Sequence, residues 1–292
     1  MNNIKTFENF NSQDIFLYIK NNDIQSIEKY INSGYDLNIQ NNVGYTPLIY
    51  AVYHNYNIEI VKLLLNSGAD LNKQSITTGY TALIWVTIYG NIEIIKLLLN
   101  YDLDINKQDY KGNTALIKAT SNNNYEIVEI LLNSGADINK QNNDGETSLI
   151  FAIDNNNRKI VQLLLNKGAD IDKQDGIGNT PLIWAIDRNN KEIVKLLLDS
   201  GADIDKQDDV GNTPLILAAI DNNRGIIELL LDYGADEFIL DSQDISFYYY
   251  LSDENRQYFT QKYPTSVYNA IYHNYKKSFT EFVKDYNIKI KK

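Results

Sequence analysis

Short apolar runs alternate along this chain with polar stretches rich in asparagine and glycine, and they do so on a fixed beat. The block Gly-x-Thr-(Pro/Ala/Ser)-Leu-Ile recurs with its threonine at Thr46, Thr81, Thr114, Thr147, Thr180 and Thr213, at spacings of 35, 33, 33, 33 and 33. A second block, Leu-Leu-Leu-x-x-Gly-Ala-Asp or a close variant, ends at Asp70, Asp104, Asp137, Asp170, Asp203 and Asp236 and keeps the same period. Repetition near 33 residues is the signature of small units stacked on one another.

The pattern within a period predicts two short helices. The threonine is placed to cap the first, with Pro47, Pro181 and Pro214 at the first helical position, where no donor is missed. Leucine and alanine recur two and five residues past the threonine, as at Leu182 and Ala185. A polar turn such as Asp187 to Asn190 follows. Ile193, Leu196 and Leu197 then have the i, i+3, i+4 spacing of a second helix, which Gly201 ends as a left-handed cap. Helices of about two turns are marginal in water. Neither can cover its apolar stripe within one unit, so the units must stack.

These residues resemble ankyrin repeats, whose pattern runs Asp-x-x-Gly-x-Thr-Pro-Leu-His-x-Ala, Glu-Ile-Val-x-x-Leu-Leu and Gly-Ala-Asp-Val-Asn. The resemblance covers residues 41–240 in six full copies. It implies an all-α ankyrin-repeat solenoid of stacked helix–turn–helix units with β-turn or hairpin loops, capped by helices at both ends, and a role in protein–protein interaction. One departure is systematic: the family's histidine, which ties neighbouring units by hydrogen bonds, is Ile49, Ile84, Ile117, Ile150, Ile183 and Ile216 here. Apolar packing has to replace that network.

Residues 1–40 read as a worn N-terminal capping repeat: Gln13 lies 33 residues before Thr46, followed by Asp14 to Ile19 and Ile24 to Ile31. Residues 241–292 form a Tyr-rich helical cap or extension. Ser242 to Leu251 fit a degenerate first helix, and Tyr268, Tyr272, Tyr275, Phe279, Phe282 and Tyr286 step by 4, 3, 4, 3 and 4 as a helical stripe, before a tail with Lys289, Lys291 and Lys292. That stripe is either a cap on the last unit or a separate partner-binding helix. Two irregularities break the beat. Asp102 takes the place of the capping glycine and is expected left-handed, so that Asp102→Gly should stabilise. The 35-residue period carries one extra residue near Asn55 to Asn57 and one within Ser75 to Thr78.

Charge and chemistry narrow the function. The net charge is −11, all of it in residues 1–234, which hold 30 acidic and 19 basic side chains. Such a surface repels a phosphate backbone, so a neutral or basic protein is the expected partner rather than nucleic acid. There is no cysteine, and no apolar run long enough for a signal peptide or membrane helix; a monomer, cytoplasmic or delivered into a host cell, is expected. The two histidines, His54 and His273, lie far apart without ligand spacing. Asp70, Asp137 and Asp170 recur once per unit at one turn, as structural residues do. No metal, cofactor or catalytic residue is expected, and the chain is not expected to be an enzyme.

In the family, partners contact turn tips and inner helices. By position these are the residue before each threonine and those four, seven and eight after it: Tyr45, Tyr53, His54, Tyr80, Trp85, Ile88 and Tyr89 in the early units, and Ser121, Asn122, Asp154, Asn155, Asp187 and Arg188 later. Tyrosine and tryptophan dominate interface energetics, which favours the early units. Against this, 22 tyrosines are scattered through the chain, and the aromatic column four past the threonine (Tyr50, Trp85, Phe151, Trp184) also reads as packing between helices. The alternative function places an effector or regulatory activity in residues 241–292, with the repeats as targeting arm.

Overall fold

The computed structural model describes residues 11–54 and 57–263 and divides the chain into two compact units, Met1–Asn143 and Asp144–Lys292. Among the described residues there are helices and turns and no strand. The first unit contains α1 (Asp14–Lys20), α2 (Ile24–Asn32), α3 (Pro47–Tyr53), α4 (Ile58–Asn66), α5 (Ala82–Tyr89), α6 (Ile92–Leu98), α7 (Ala115–Ser121) and α8 (Tyr125–Asn133). The second contains α9 (Ser148–Asp154), α10 (Arg158–Asn166), α11 (Pro181–Asp187), α12 (Lys191–Asp199), α13 (Pro214–Ile220), α14 (Arg224–Asp232), α15 (Phe247–Tyr250) and α16 (Asp253–Lys262).

The helices start where the side chains can satisfy their first amides. At each of the six threonines, Oγ1 accepts from the amide of the isoleucine three residues on, at 3.1–3.4 Å. The second helix of each pair begins on an asparagine: Asn91, Asn124, Asn157, Asn190 and Asn223 accept from the third amide beyond, and Asn57 from the second. The residue before that cap is left-handed, at φ of 53–57° for Asn123, Asn156, Asn189 and Asn222, with Gly90 in the α5–α6 pair. Asparagine is one of the few side chains that tolerates this conformation. The turn that looks merely polar in the sequence is therefore specified residue by residue.

Pairs stack within each unit. In the first, α3 lies between α1 and α5, and α5 packs on α7; in the second, α9, α11, α13 and α15 follow in order. The isoleucines in the family's histidine position are 1–3% exposed, so they do pack as core. The polar link between pairs is carried elsewhere, by a ladder of glutamines. Gln74 Nε2 donates to its own Gly79 carbonyl at 2.6 Å and to the Gln108 carbonyl of the next pair at 2.8 Å. Gln40, Gln108, Gln174 and Gln207 repeat the arrangement.

A second ladder joins the turns after the helices: Asn38, Asn72 and Asn106 accept from the amides of Asp70, Asp104 and Asp137, and Asp172 and Asp205 accept from those of Asp203 and Asp236, at 2.7–2.9 Å. Loop tips approach still closer. A Cβ on Gly178, which has φ of 82°, would sit 2.4 Å from the Asp209 amide nitrogen. Only glycine fits there.

Two expectations are revised. Asp102 does not have a positive φ. Instead α6 stops early at Leu98, and the chain turns through bonds from Asn100 and Tyr101 amides to the carbonyls of Leu97 and Leu98, while the Tyr101 hydroxyl donates to Asn66 Oδ1 at 2.7 Å. With no left-handed strain to relieve, the expected gain from Asp102→Gly has no basis. At the other end, α15 falls within the stretch expected to form a degenerate first helix, and α16 adds a helix that periodicity does not reveal. Arg224 reaches Asn255 and Glu254, Lys262 reaches Glu228 at 2.9 Å, and Tyr258 also donates to Glu228, so α16 lies against α14. Phe247 and Phe259 are fully buried beside them. The stripe from Tyr268, the lysine tail, His273 and the insertion at Asn55 and Tyr56 lie outside the described residues.

Two outcomes follow. Asp102→Gly lowers the melting temperature, by about 0.5–1 kcal/mol of stability, because it adds freedom to the unfolded chain without relieving strain; a gain in chemical or thermal denaturation contradicts the early-stop turn. Burial, with the neighbouring charges of Asp203 and Asp236, holds the Asp172 and Asp205 carboxyls above the ordinary carboxylate range. A raised native pKa means that folding favours the protonated form, so each ionised carboxylate detracts from stability at neutral pH. Asp205→Asn, which reproduces the residue at Asn72 and Asn106, raises the melting temperature at pH 7. The difference shrinks as pH falls through the normal aspartate value of about 3.9.

Candidate functional site

The residues that precede each threonine and follow it by four to eight come together on one side of the first unit. The loop before α3 supplies Tyr45 and its C-terminal end supplies Tyr53 and His54. The loop before α5 supplies Tyr80, and α5 itself supplies Trp85 and Tyr89. Trp85 is the hub. Its ring centroid lies 5.6 Å from Tyr45, 4.9 Å from Tyr53 and 4.9 Å from Tyr80, all near edge-on, and 5.9 Å from Tyr89 in a stacked arrangement. Tyr53 closes the group, 5.1 Å from Tyr45, 5.7 Å from Tyr89 and 4.7 Å from His54. Edge-on and offset geometries are the favourable ones for rings, each adding about 0.5–1.5 kcal/mol to the burial term.

Six of the seven side chains singled out from the sequence thus form one cluster. Ile88 is half-buried and outside the ring contacts; its carbonyl accepts from the Asn122 side chain at 3.5 Å. The insertion turn is shaped by Ser75, whose hydroxyl bonds Thr78 Oγ1 and the Tyr80 amide at 2.8 and 3.0 Å. Lys118, which the sequence places in the same column as Trp85 but not among the seven expected contact residues, stands over the Tyr80 ring at 5.1 Å and pairs with Asp109 at 3.0 Å. Its position four past Thr114 was the available signal.

The cluster is a neutral surface. Burial raises the Tyr45 and Tyr89 hydroxyls above their ordinary range, and the neighbouring Tyr53 adds to it. Burial, then the charge of Lys20, lowers the His54 imidazole. At neutral pH Tyr45 and Tyr89 keep their protons and the imidazole is uncharged. Tyr89 remains 49% exposed while Trp85 is only 9% exposed, so the patch presents tyrosine edges over a buried indole.

That indole is unusual within its column. At three other places in the column the side chain donates to an aspartate nine residues earlier: Lys118 to Asp109, Trp184 Nε1 to Asp175 at 2.9 Å, and, after Ser246, Tyr250 to Asp241 at 2.5 Å. For Trp85 the insertion puts Ser75 in the aspartate's place, ten residues back. Trp85 Nε1 and Thr87 Oγ1 are the fully buried side-chain polar atoms without a hydrogen-bond partner among the described residues. Among those residues there is also no group of three His, Cys, Asp or Glu side chains arranged for a metal ion, and no helix long and apolar enough to cross a membrane.

Residues 15–109, 103–175 and 149–241 each match the family model described as ankyrin repeats (3 copies). No curated protein sequence matches the chain. Among solved structures, the ankyrin repeat domain of Bcl-3, described as a unique member of the IkappaB protein family, superposes with a TM-score of 0.60 at 24% identity, over 85% of this chain and 97% of that one. At that identity the likeness concerns the fold.

The two tryptophans should differ measurably. A double-mutant cycle between Trp184→Phe and Asp175→Ala gives a coupling of about 1 kcal/mol in denaturant unfolding, the worth of one hydrogen bond to a charged acceptor. The parallel cycle between Trp85→Phe and Ser75→Ala gives a coupling near zero.

Proposed function

The chain belongs to the ankyrin-repeat family, and from that premise we propose that it is a non-catalytic scaffold holding a partner protein against the aromatic face of its first unit. Ankyrin repeats are generally protein–protein interaction modules. The observation that carries the reading is the convergence of Tyr45, Tyr53, Tyr80 and Tyr89 around Trp85, from two successive helix pairs. Large rigid rings offer contact area with few rotamers to freeze, and a small number of them supplies most of the energy of an interface. The chain's net charge of −11, of which residues 1–143 carry the smaller share, adds selectivity and speeds encounter with a basic or neutral partner.

The C-terminal segment has a structural part in this proposal. Residues 241–263 close the second unit, since α15 packs on α13 and α16 is tied to α14 by the Arg224, Glu228 and Lys262 bonds. A closing pair with a polar outer side is what a repeat stack requires to remain soluble.

The test is affinity capture from the native organism with the full chain, followed by titration of the captured partner. Tyr53→Ala and Tyr89→Ala together weaken that partner by at least about tenfold, consistent with aromatic hot spots of about 2 kcal/mol, while the circular dichroism spectrum stays that of the parent and the melting temperature, lowered by the lost ring contacts, stays well above the assay temperature. Undiminished binding by the folded double variant removes the site assignment.

A further inference from the structure

The second unit has a surface of different character. Between α11 and α13 lies a cleft of about 320 Å³ lined by Ile177, Asn179, Ile183, Trp184, Leu217 and the carboxylates of Asp187 and Asp221. Its floor is apolar and includes one indole. Ile177 stands 66% exposed at its edge. Residues 144–234 carry 16 acidic and 9 basic side chains, against 14 and 10 over residues 1–143, so this unit holds the larger share of the negative charge.

A cation already sits on the same wall. The Arg188 guanidinium carbon lies 5.2 Å from the Trp184 ring, with Nε at 2.6 Å from Asp154 and Nη1 at 2.7 Å from Asp187. An aromatic face flanked by carboxylates is the environment a guanidinium prefers, because its planar fork stacks and bonds at once. One pair further on, the residue equivalent to Arg188 is Asp221. Where Arg188 supplies a cation, this pair has a carboxylate, and Asp221 has no side-chain hydrogen bond or ion pair among the described residues. Partial burial in the cleft, together with the Asp187 charge, pushes its carboxyl above the ordinary range, as expected of an acidic group without a counter-ion.

We propose that this cleft receives an arginine side chain of a protein partner, its stem against Ile183, Trp184 and Leu217 and its guanidinium between Asp187 and Asp221. The site repeats, toward an outside ligand, the contact that Arg188 makes within the chain. It rests on the reading of the molecule as a protein-binding scaffold, but on the other unit and on different residues. Lysine fits less well, since a compact, strongly hydrated ammonium cannot stack on the indole and bridge two carboxylates together.

The test uses the isotopically labelled full chain, whose two indole N–H resonances are assigned with Trp85→Phe. Titration with acetyl-Ala-Arg-Ala-amide shifts the Trp184 indole signal saturably and leaves that of Trp85 in place. The lysine peptide binds several-fold more weakly and the glutamine peptide at least about tenfold more weakly, the loss expected on removing a charge-assisted contact. Asp221→Asn weakens the arginine peptide similarly and leaves the melting temperature unchanged or higher, and Tyr53→Ala with Tyr89→Ala leaves it unaffected. No saturable shift at Trp184, equal binding of the arginine and glutamine peptides, equal binding of the lysine peptide, or indifference to Asp221→Asn overturns the proposal. Loss of peptide binding in the tyrosine variant, which keeps the cleft residues, overturns its independence from the aromatic face.

Discussion

A helix of seven to nine residues with an apolar stripe has nothing of its own to lay that stripe against. Each of the six threonine-capped pairs carries leucine, isoleucine and alanine that are almost wholly buried, and burial of each large aliphatic side chain is worth roughly 1.5–3 kcal/mol. That energy is released only when another pair arrives at the right height and angle. The need for a neighbour fixes the repeat length, and a fixed repeat length brings equivalent loop atoms of adjacent pairs into line. Ladders follow from this alignment. The glutamine amides, the Asn38-type turns and the glycine loop tips are the polar consequences of an apolar requirement.

Alignment also lets different residues perform one chemical task at equivalent places. Four past the capping residue, a lysine, a tryptophan and a tyrosine each donate to an aspartate, while Phe151 and Leu217 fill the same column with apolar bulk. Where a column departs from its task, a surface with new properties results. The insertion beside Ser75 leaves the Trp85 indole without its acceptor and gathers tyrosines over it. The change from Arg188 to Asp221 leaves one carboxylate of a cleft without a cation of its own. The first unit therefore shows a neutral aromatic face and the second a charged slot. Both are changes at positions the core does not need.

Much of the fold is legible in the sequence because backbone chemistry restricts the residue at certain points. Thr46 and its equivalents, the proline after three of them, and Gly201 with its counterparts are of this kind. The asparagine turn was harder to read. Asn189 and Asn190 look like solvated loop, yet one is left-handed and the other caps a helix. The glutamine ladder escaped because each partner lies 33 or 34 residues away, and a single side chain does not announce a distant carbonyl. Asp102 misled by analogy: the chain ended α6 early rather than strain an aspartate. In the aromatic cluster the residue types and their period pointed to side chains that lie together, Ile88 apart, while the contact of Lys118 and the missing acceptor of Trp85 depended on geometry.

The glutamine ladder has a direction. Each amide reaches forward to the main-chain oxygen of the following pair, and the last of them, Gln207, finds that of Leu240, where no glutamine stands. A rung thus asks of its successor only a carbonyl, which every residue possesses. Loss or duplication of one complete period within a unit leaves no amide stranded, whereas removal of part of a period unseats every rung beyond it. Lengthening or shortening such a gene is chemically neutral in whole steps and disruptive in fractions.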